Sequence, residues 1–200
     1  MLFRSWSRSD FSQGLAAVYR EDKGWGYINR SGKVVIPFKF SGATPFKDGL
    51  AVISVDGKYG YISQQGKIVI PLRKENELIS LYSSSGFYEF SDGLALISNR
   101  DQLGYINHAG KVVIKPKYIR ASPFSENIAS VIEQPFSGDK SECLYIDKTG
   151  KSIIVDRFNE CGSFHDGVAL VEINGKMGYV STAGQYIYKP NEASKIPPIR

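Results

Sequence analysis

Short apolar runs of four or five residues alternate along the chain with polar clusters built on Gly, Asn, Asp and Ser. Leu50-Ala51-Val52-Ile53, Tyr59-Gly60-Tyr61-Ile62 and Lys67-Ile68-Val69-Ile70 are three consecutive runs. Asp56-Gly57 between the first two is a tight hairpin signal. Ser63-Gln64-Gln65-Gly66 places a small polar residue first and a glycine fourth. That order suits a type I turn closed by a left-handed residue. Pro71 cannot donate to a ladder and is read as the end of the third run. No window carries a helical period, so the expected class is all-β.

The same pattern returns five times. Gly-Tyr-Ile at 26–28, 60–62 and 104–106, Leu-Tyr-Ile at 144–146 and Gly-Tyr-Val at 178–180 are one element. Five residues after each tyrosine stands a glycine: Gly32, Gly66, Gly110, Gly150 and Gly184. Lysine follows the first four of these glycines, and Gln185 follows the last. Upstream lies Phe-x-x-Gly-Leu-Ala at 11–16, 46–51 and 90–95, altered to Phe-Ser-Glu-Asn-Ile-Ala at 124–129 and Phe-His-Asp-Gly-Val-Ala at 164–169. Repeats at such a period signal a stacked architecture.

One unit of roughly 34 residues loses on the order of 50 kcal/mol of conformational entropy on ordering. A buried Phe or Tyr returns only ~4–6 kcal/mol. A lone meander therefore cannot fold, and neighbours must cover one another. The expectation is five antiparallel β-meander repeats, starting near residues 11, 46, 90, 124 and 164 and forming one domain over 11–188. They would close as a toroid or run as an open twisted solenoid. Residues 1–10 are expected to cap the first repeat with Phe3 and Trp6, and residues 189–200 to form a loose tail.

A formal charge of +5 from 25 basic and 20 acidic residues is too balanced to indicate nucleic acid. The start of the chain lacks the apolar stretch of a secretory signal, and no run approaches a membrane span. Cys143 and Cys161 show neither the framework spacing of disulfides nor that of a zinc site. Both are expected to be reduced thiols in a cytoplasmic protein.

The succession Phe-x-Asp-Gly-Leu-Ala-x-Val, Trp/Tyr-Gly-Tyr-Ile, Gly-Lys-x-Val-Ile-Pro resembles the bacterial WG-repeat family. Lys23-Gly24-Trp25-Gly26-Tyr27-Ile28 is the closest match, and Tyr59, Leu103, Cys143 and Met177 replace the tryptophan elsewhere. The resemblance spans about residues 11–190. It implies a β-rich interaction module, in some members tied to toxin–antitoxin conflict, and it carries no catalytic residues.

Departures from the pattern mark candidate contact loops. Tyr61 to Tyr105 spans 44 residues where Tyr27 to Tyr61 spans 34. The extra length in residues 72–88 carries Arg73, Lys74, Glu75, Glu77 and Tyr82. A second insertion at 133–140 carries Glu133, Phe136, Asp139 and Lys140. Both could equally be neutral loop growth, which costs little.

Chemistry is thin elsewhere. Gly150-Lys151-Ser152 mimics the end of a phosphate loop, but Tyr145 stands where its leading glycine belongs. His165 and His108 occupy positions that other repeats fill with Ser, Lys, Arg, Gln or Thr, which argues for exposure and against a triad or zinc site. Cys143 takes the tryptophan position and reads as core. Asp48, Asp92, Glu126 and Asp166 recur before the hairpin glycine, which marks a turn or capping role. Lys33, Lys67, Lys111 and Lys151 form a basic stripe suited to edge protection more than to phosphates.

The expected function is non-enzymatic protein binding without a cofactor, as an immunity protein occluding the active site of a cognate toxin. The alternative is an enzyme or small-ligand receptor with a pocket at the repeat axis. A nucleic-acid binder ranks third.

Overall fold

The computed structural model describes residues 9–74, 82–83, 86–87, 89–99, 101–133 and 142–189, with 82–83 and 86–87 described by backbone alone. The expected cap with Phe3 and Trp6 lies outside these residues, as does the tail beyond Lys189. Among the described residues there is strand and turn but no helix. The chain divides into two compact units, Met1–Pro116 and Lys117–Arg200.

In the first unit, β1 (Leu15–Arg20), β2 (Gly24–Asn29) and β3 (Val34–Phe40) form one antiparallel meander. The second is β4 (Gly42–Ala43), β5 (Leu50–Val55), β6 (Lys58–Ser63) and β7 (Ile68–Lys74). A short pair, β8 (Tyr82–Ser83) and β9 (Gly86–Phe87), precedes β10 (Leu94–Asn99), β11 (Gln102–Asn107) and β12 (Val112–Ala121). The unit boundary falls inside β12. In the second unit the end of β12 pairs with β13 (Ala129–Glu133), which pairs with β14 (Cys143–Ile146). A further sheet holds β15 (Glu160–Cys161), β16 (Val168–Ile173), β17 (Lys176–Ser181) and β18 (Tyr186–Tyr188).

The turns follow the residue chemistry. Asp56 and Gly57 both take positive φ, 48° and 70°, the geometry of a two-residue hairpin whose twist matches its strands. The glycine five residues after each repeat tyrosine lies at φ between 73° and 86°, closing its turn as the spacing requires. The first position of that turn works as an acceptor. Asn29 Oδ1 accepts from the amides of Ser31 and Lys33 at 3.1 and 3.0 Å. Asp147 Oδ1 does the same for Thr149 and Lys151 at 2.8 and 3.0 Å.

Pro71 does not end the third strand. β7 continues to Lys74, and β3 and β12 run through Pro37 and Pro116 in the same way. The pairing of β6 with β7 shifts register between Tyr59/Tyr61, so the proline sits at a bulge where no ladder donor is needed. The bulge also explains the repeated Gly-Tyr. A Cβ on Gly60 would stand 2.7 Å from the Ile70 carbonyl oxygen, and one on Gly26 would stand 2.8 Å from that of Ile36. In the fourth repeat Leu144 occupies this position. There the third strand is reduced to isolated bridges, Ile146 with Ser152 and Cys143 with Phe158, and Val155 is 99% exposed.

The cores lie between consecutive repeats. Leu15, Ala17, Tyr27 and Ile36 of the first repeat pack on Phe46, Ala51, Ile53 and Ile62 of the second. Leu50, Val52, Tyr61 and Ile70 pack on Phe90, Ala95, Ile97 and Ile106. In the second unit Tyr145, Ile154 and Phe158 pack on Phe164, Ala169, Val171 and Val180. Mutual covering by neighbours is the arrangement the repeat arithmetic demands.

Candidate binding surfaces

Each seam within a unit is built the same way. Tyr27 meets Phe46 with ring centroids 4.9 Å apart, Tyr61 meets Phe90 at 5.0 Å, and Tyr145 meets Phe164 at 4.9 Å. The Tyr27 hydroxyl donates to the Thr44 carbonyl at 2.9 Å, and that of Tyr145 to the Gly162 carbonyl at 2.8 Å. Burial pushes the Tyr27 and Tyr145 phenols well above their ordinary range, because a phenolate there would lose its water.

The hairpin tips join the same seams. Gln13, Asp48, Asp92, Glu126 and Asp166 have φ of 51–54°, and each is the left-handed residue of its tip. The side chains of Gln13, Asp48 and Glu126 reach the next repeat. Gln13 accepts from the Gly49 amide at 3.0 Å, Asp48 from Gly93, and Glu126 from Gly167 at 2.9 Å. Ser12 and Ser125 donate to the Phe46 and Phe164 carbonyls at 2.6 and 2.7 Å. The periodic carboxylates are therefore turn residues, and Asp48 and Glu126 are seam groups as well.

Of the insertion residues, Glu75, Glu77, Phe136, Asp139 and Lys140 lie outside the described residues. Tyr82 contributes backbone pairing to Phe87. Arg73 and Lys74 end β7 opposite Tyr59 and Lys58. Glu133 ends β13 and carries ion pairs to Lys117 at 3.2 Å and Arg157 at 3.7 Å. Pairs this exposed contribute little stability.

Two sequence readings need correction. Cys143 and Cys161 are not free thiols. They form a disulfide across 18 residues, with Cα atoms 6.1 Å apart. The pair escaped a spacing argument because β14 and β15 belong to successive repeats and meet only at the seam. His108 is not simply solvated. Its ring stacks on Phe90 at 4.5 Å, and Nε2 is buried 4.0 Å from Asp48.

Two surfaces stand out among the described residues. On the outer strands of the first unit, Val34, Val35, Ile68 and Val113 are exposed beside Lys33, Lys67 and Lys111, while Ile36, Ile70 and Ile114 point inward. In the second unit a cleft of about 480 Å³ is lined by Ile119, Arg120, Ser122, Ser130, Asn159 and Glu160, with the disulfide in its wall. It brings one arginine and one glutamate together with no histidine, an arrangement short of an acid–base pair plus nucleophile.

The model of the WG containing repeat matches residues 25–59, 59–73, 104–133 and 145–176. The chain belongs to the WG-repeat family. No curated protein matches it. Among solved structures, a eukaryotic initiation factor is similar with a TM-score of 0.59 at 8% identity, covering 93% of this chain and 55% of that one. Hsv2 of Kluyveromyces lactis gives 0.50 at 10% identity, covering 92% and 62%. The WD40 β-propeller domain of Doa1 gives 0.38 at 14% identity, covering 90% and 66%, too low a score to carry weight. This WG-repeat chain thus spans little more than half the length of the first two, and the likeness is one of all-β fold.

Proposed function

We propose that this WG-repeat chain is a non-enzymatic protein-binding module that docks its partner on the outer strands of the first unit. The supporting observation is that each of three successive repeats exposes a β-branched residue within two positions of its lysine: Val34 and Val35, Ile68, and Val113. The interior positions of the same strands are filled by Ile36, Ile70 and Ile114, which leaves these side chains half exposed. Large apolar residues exposed in successive repeats suit a contact surface, and flanking lysines steer acidic partners toward it.

The narrower reading is an immunity protein that occludes the catalytic cleft of a cognate toxin, and it is supported by the family resemblance. The expected cytoplasmic location goes with reduced thiols. A bonded Cys143–Cys161 pair fits an oxidising compartment better. The test is affinity purification from the native host, followed by binding of the purified partner to the parent and to a Val35→Asp/Ile68→Asp/Val113→Asp variant. The expected result is at least a tenfold loss of affinity with an unchanged fold. For the toxin reading, the partner's enzymatic activity should fall to background at one equivalent of this chain. A partner bound equally well by the variant would overturn the surface assignment.

A further inference from the structure

The seams described above have two unlike halves. The trailing half is a tyrosine with the apolar residue opposite it on the first strand. The leading half is a hairpin tip with its phenylalanine. Wherever both halves belong to one unit, they are covered. Tyr27, Tyr61 and Tyr145 are 0–1% exposed, and Phe46, Phe90 and Phe164 are 0–2% exposed.

The fifth repeat carries a trailing half that is exposed among the described residues. Tyr179 is 44% exposed, Leu170 opposite it is 38% exposed, and Met177 is 44% exposed. The equivalents of Leu170 in the first two repeats, Ala17 and Val52, are 0% and 1% exposed. The first repeat carries the complementary tip with its ring exposed. Phe11 is 42% exposed, and its tip is the same hairpin as the others, with Gly14 at φ +86° against +80° for Gly49 and Gly167.

We propose that the exposed face of the fifth repeat docks the first-repeat hairpin of a second copy of this chain, head to tail. The three covered seams show what fits there. A phenylalanine ring would lie against Tyr179, Asp166 would accept from the incoming Gly14 amide as Asp48 and Glu126 accept from Gly93 and Gly167, and His165 would donate to the Phe11 carbonyl from the slot of Ser12 and Ser125. Ala16 and Val18 behind the tip are already buried, so the contact centres on Phe11, Gln13 and Gly14. A heterologous contact of this kind has no two-fold axis, and it extends with concentration until a ring closes.

The test is sedimentation of the full chain over a hundredfold range of concentration, with Phe11→Asp, Tyr179→Asp and Asp166→Lys, all exposed positions. The parent's average mass is expected to rise from 22.2 kDa with no limiting dimer, and each variant alone is expected to remain at one chain. An equimolar mixture of Phe11→Asp and Tyr179→Asp should form a dimer and nothing larger, because each supplies the half the other lacks. A parent that stays monomeric throughout, as closure within one chain would also give, overturns the proposal. So does a Phe11→Asp variant that dimerises like the parent, which would mean that two fifth-repeat faces meet. Circular dichroism melting confirms that each variant is folded, and Asp166→Lys tests the seam without altering a ring.

Discussion

Gly60→Ala adds one methyl group at a site where the opposing atoms are backbone. The new Cβ would lie 2.7 Å from the Ile70 oxygen and 3.1 Å from the Leu72 nitrogen. Those atoms are held by the pairing of Tyr61 with Ile70 and Tyr59 with Arg73, so relief requires β7 to move as a strand. Overpacking of this kind costs about 1–3 kcal/mol, and loosening a ladder bond adds about 1 kcal/mol. Replacing a strand glycine returns about 0.5–1 kcal/mol through the unfolded chain. The net loss is about 1–3 kcal/mol. It should appear in urea unfolding as a lowered midpoint with an unchanged slope, together with faster exchange of the β7 amides. The fourth repeat already shows the end state, since Leu144 there accompanies a third strand reduced to isolated bridges. A Gly60→Ala protein as stable as the parent, with the β7 amides still protected, would refute the argument.

Tyr145→Phe removes the donor to the Gly162 carbonyl and should cost about 1–2 kcal/mol by chemical denaturation, with the fold retained. Breaking the Cys143–Cys161 bond releases a loop of 18 residues. A double serine variant, or reduction of the parent, should lower stability by about 3 kcal/mol, which a thermal melt with and without reductant measures. Hydrogen bonds, led by that from the Thr149 hydroxyl, hold the Asp147 carboxyl below its ordinary range. A depressed folded value means the contribution is complete above about pH 4, where the unfolded group has ionised, and fades as pH falls through the folded value. The unfolding midpoint of Asp147→Asn, which copies Asn29 and Asn107, should lack that acid step; persistence of the step would exclude Asp147 as its source.

The turns were legible because their chemistry is local. Asp56-Gly57 and the glycine after each tyrosine need positive φ, and few other residues supply it cheaply. The hairpin-tip acids were read as turn residues, and they are. Their second role, accepting from the next repeat's glycine amide, depends on a contact some 40 residues away, which no local pattern encodes. Pro71 misled for a related reason. A missing amide donor ends a central strand, but it costs nothing at a bulge, and only the pairing of β6 with β7 reveals the bulge. The disulfide was hidden because spacing rules describe frameworks, whereas a single bond between neighbouring strands depends on which strands meet. Of the insertion residues, Glu133 carries ion pairs to Lys117 and Arg157, while Glu75, Glu77, Phe136, Asp139 and Lys140 fall outside the described residues.

Each covered seam is specified by a tyrosine in one repeat and a phenylalanine in the next, so the smallest interchangeable piece is a whole period counted from any starting point. Duplicating or excising one period leaves every remaining join with both rings in place, whereas a cut of half a period strands an aromatic on each side. Length in such a chain can therefore change by gene-segment copying without a new core having to be invented.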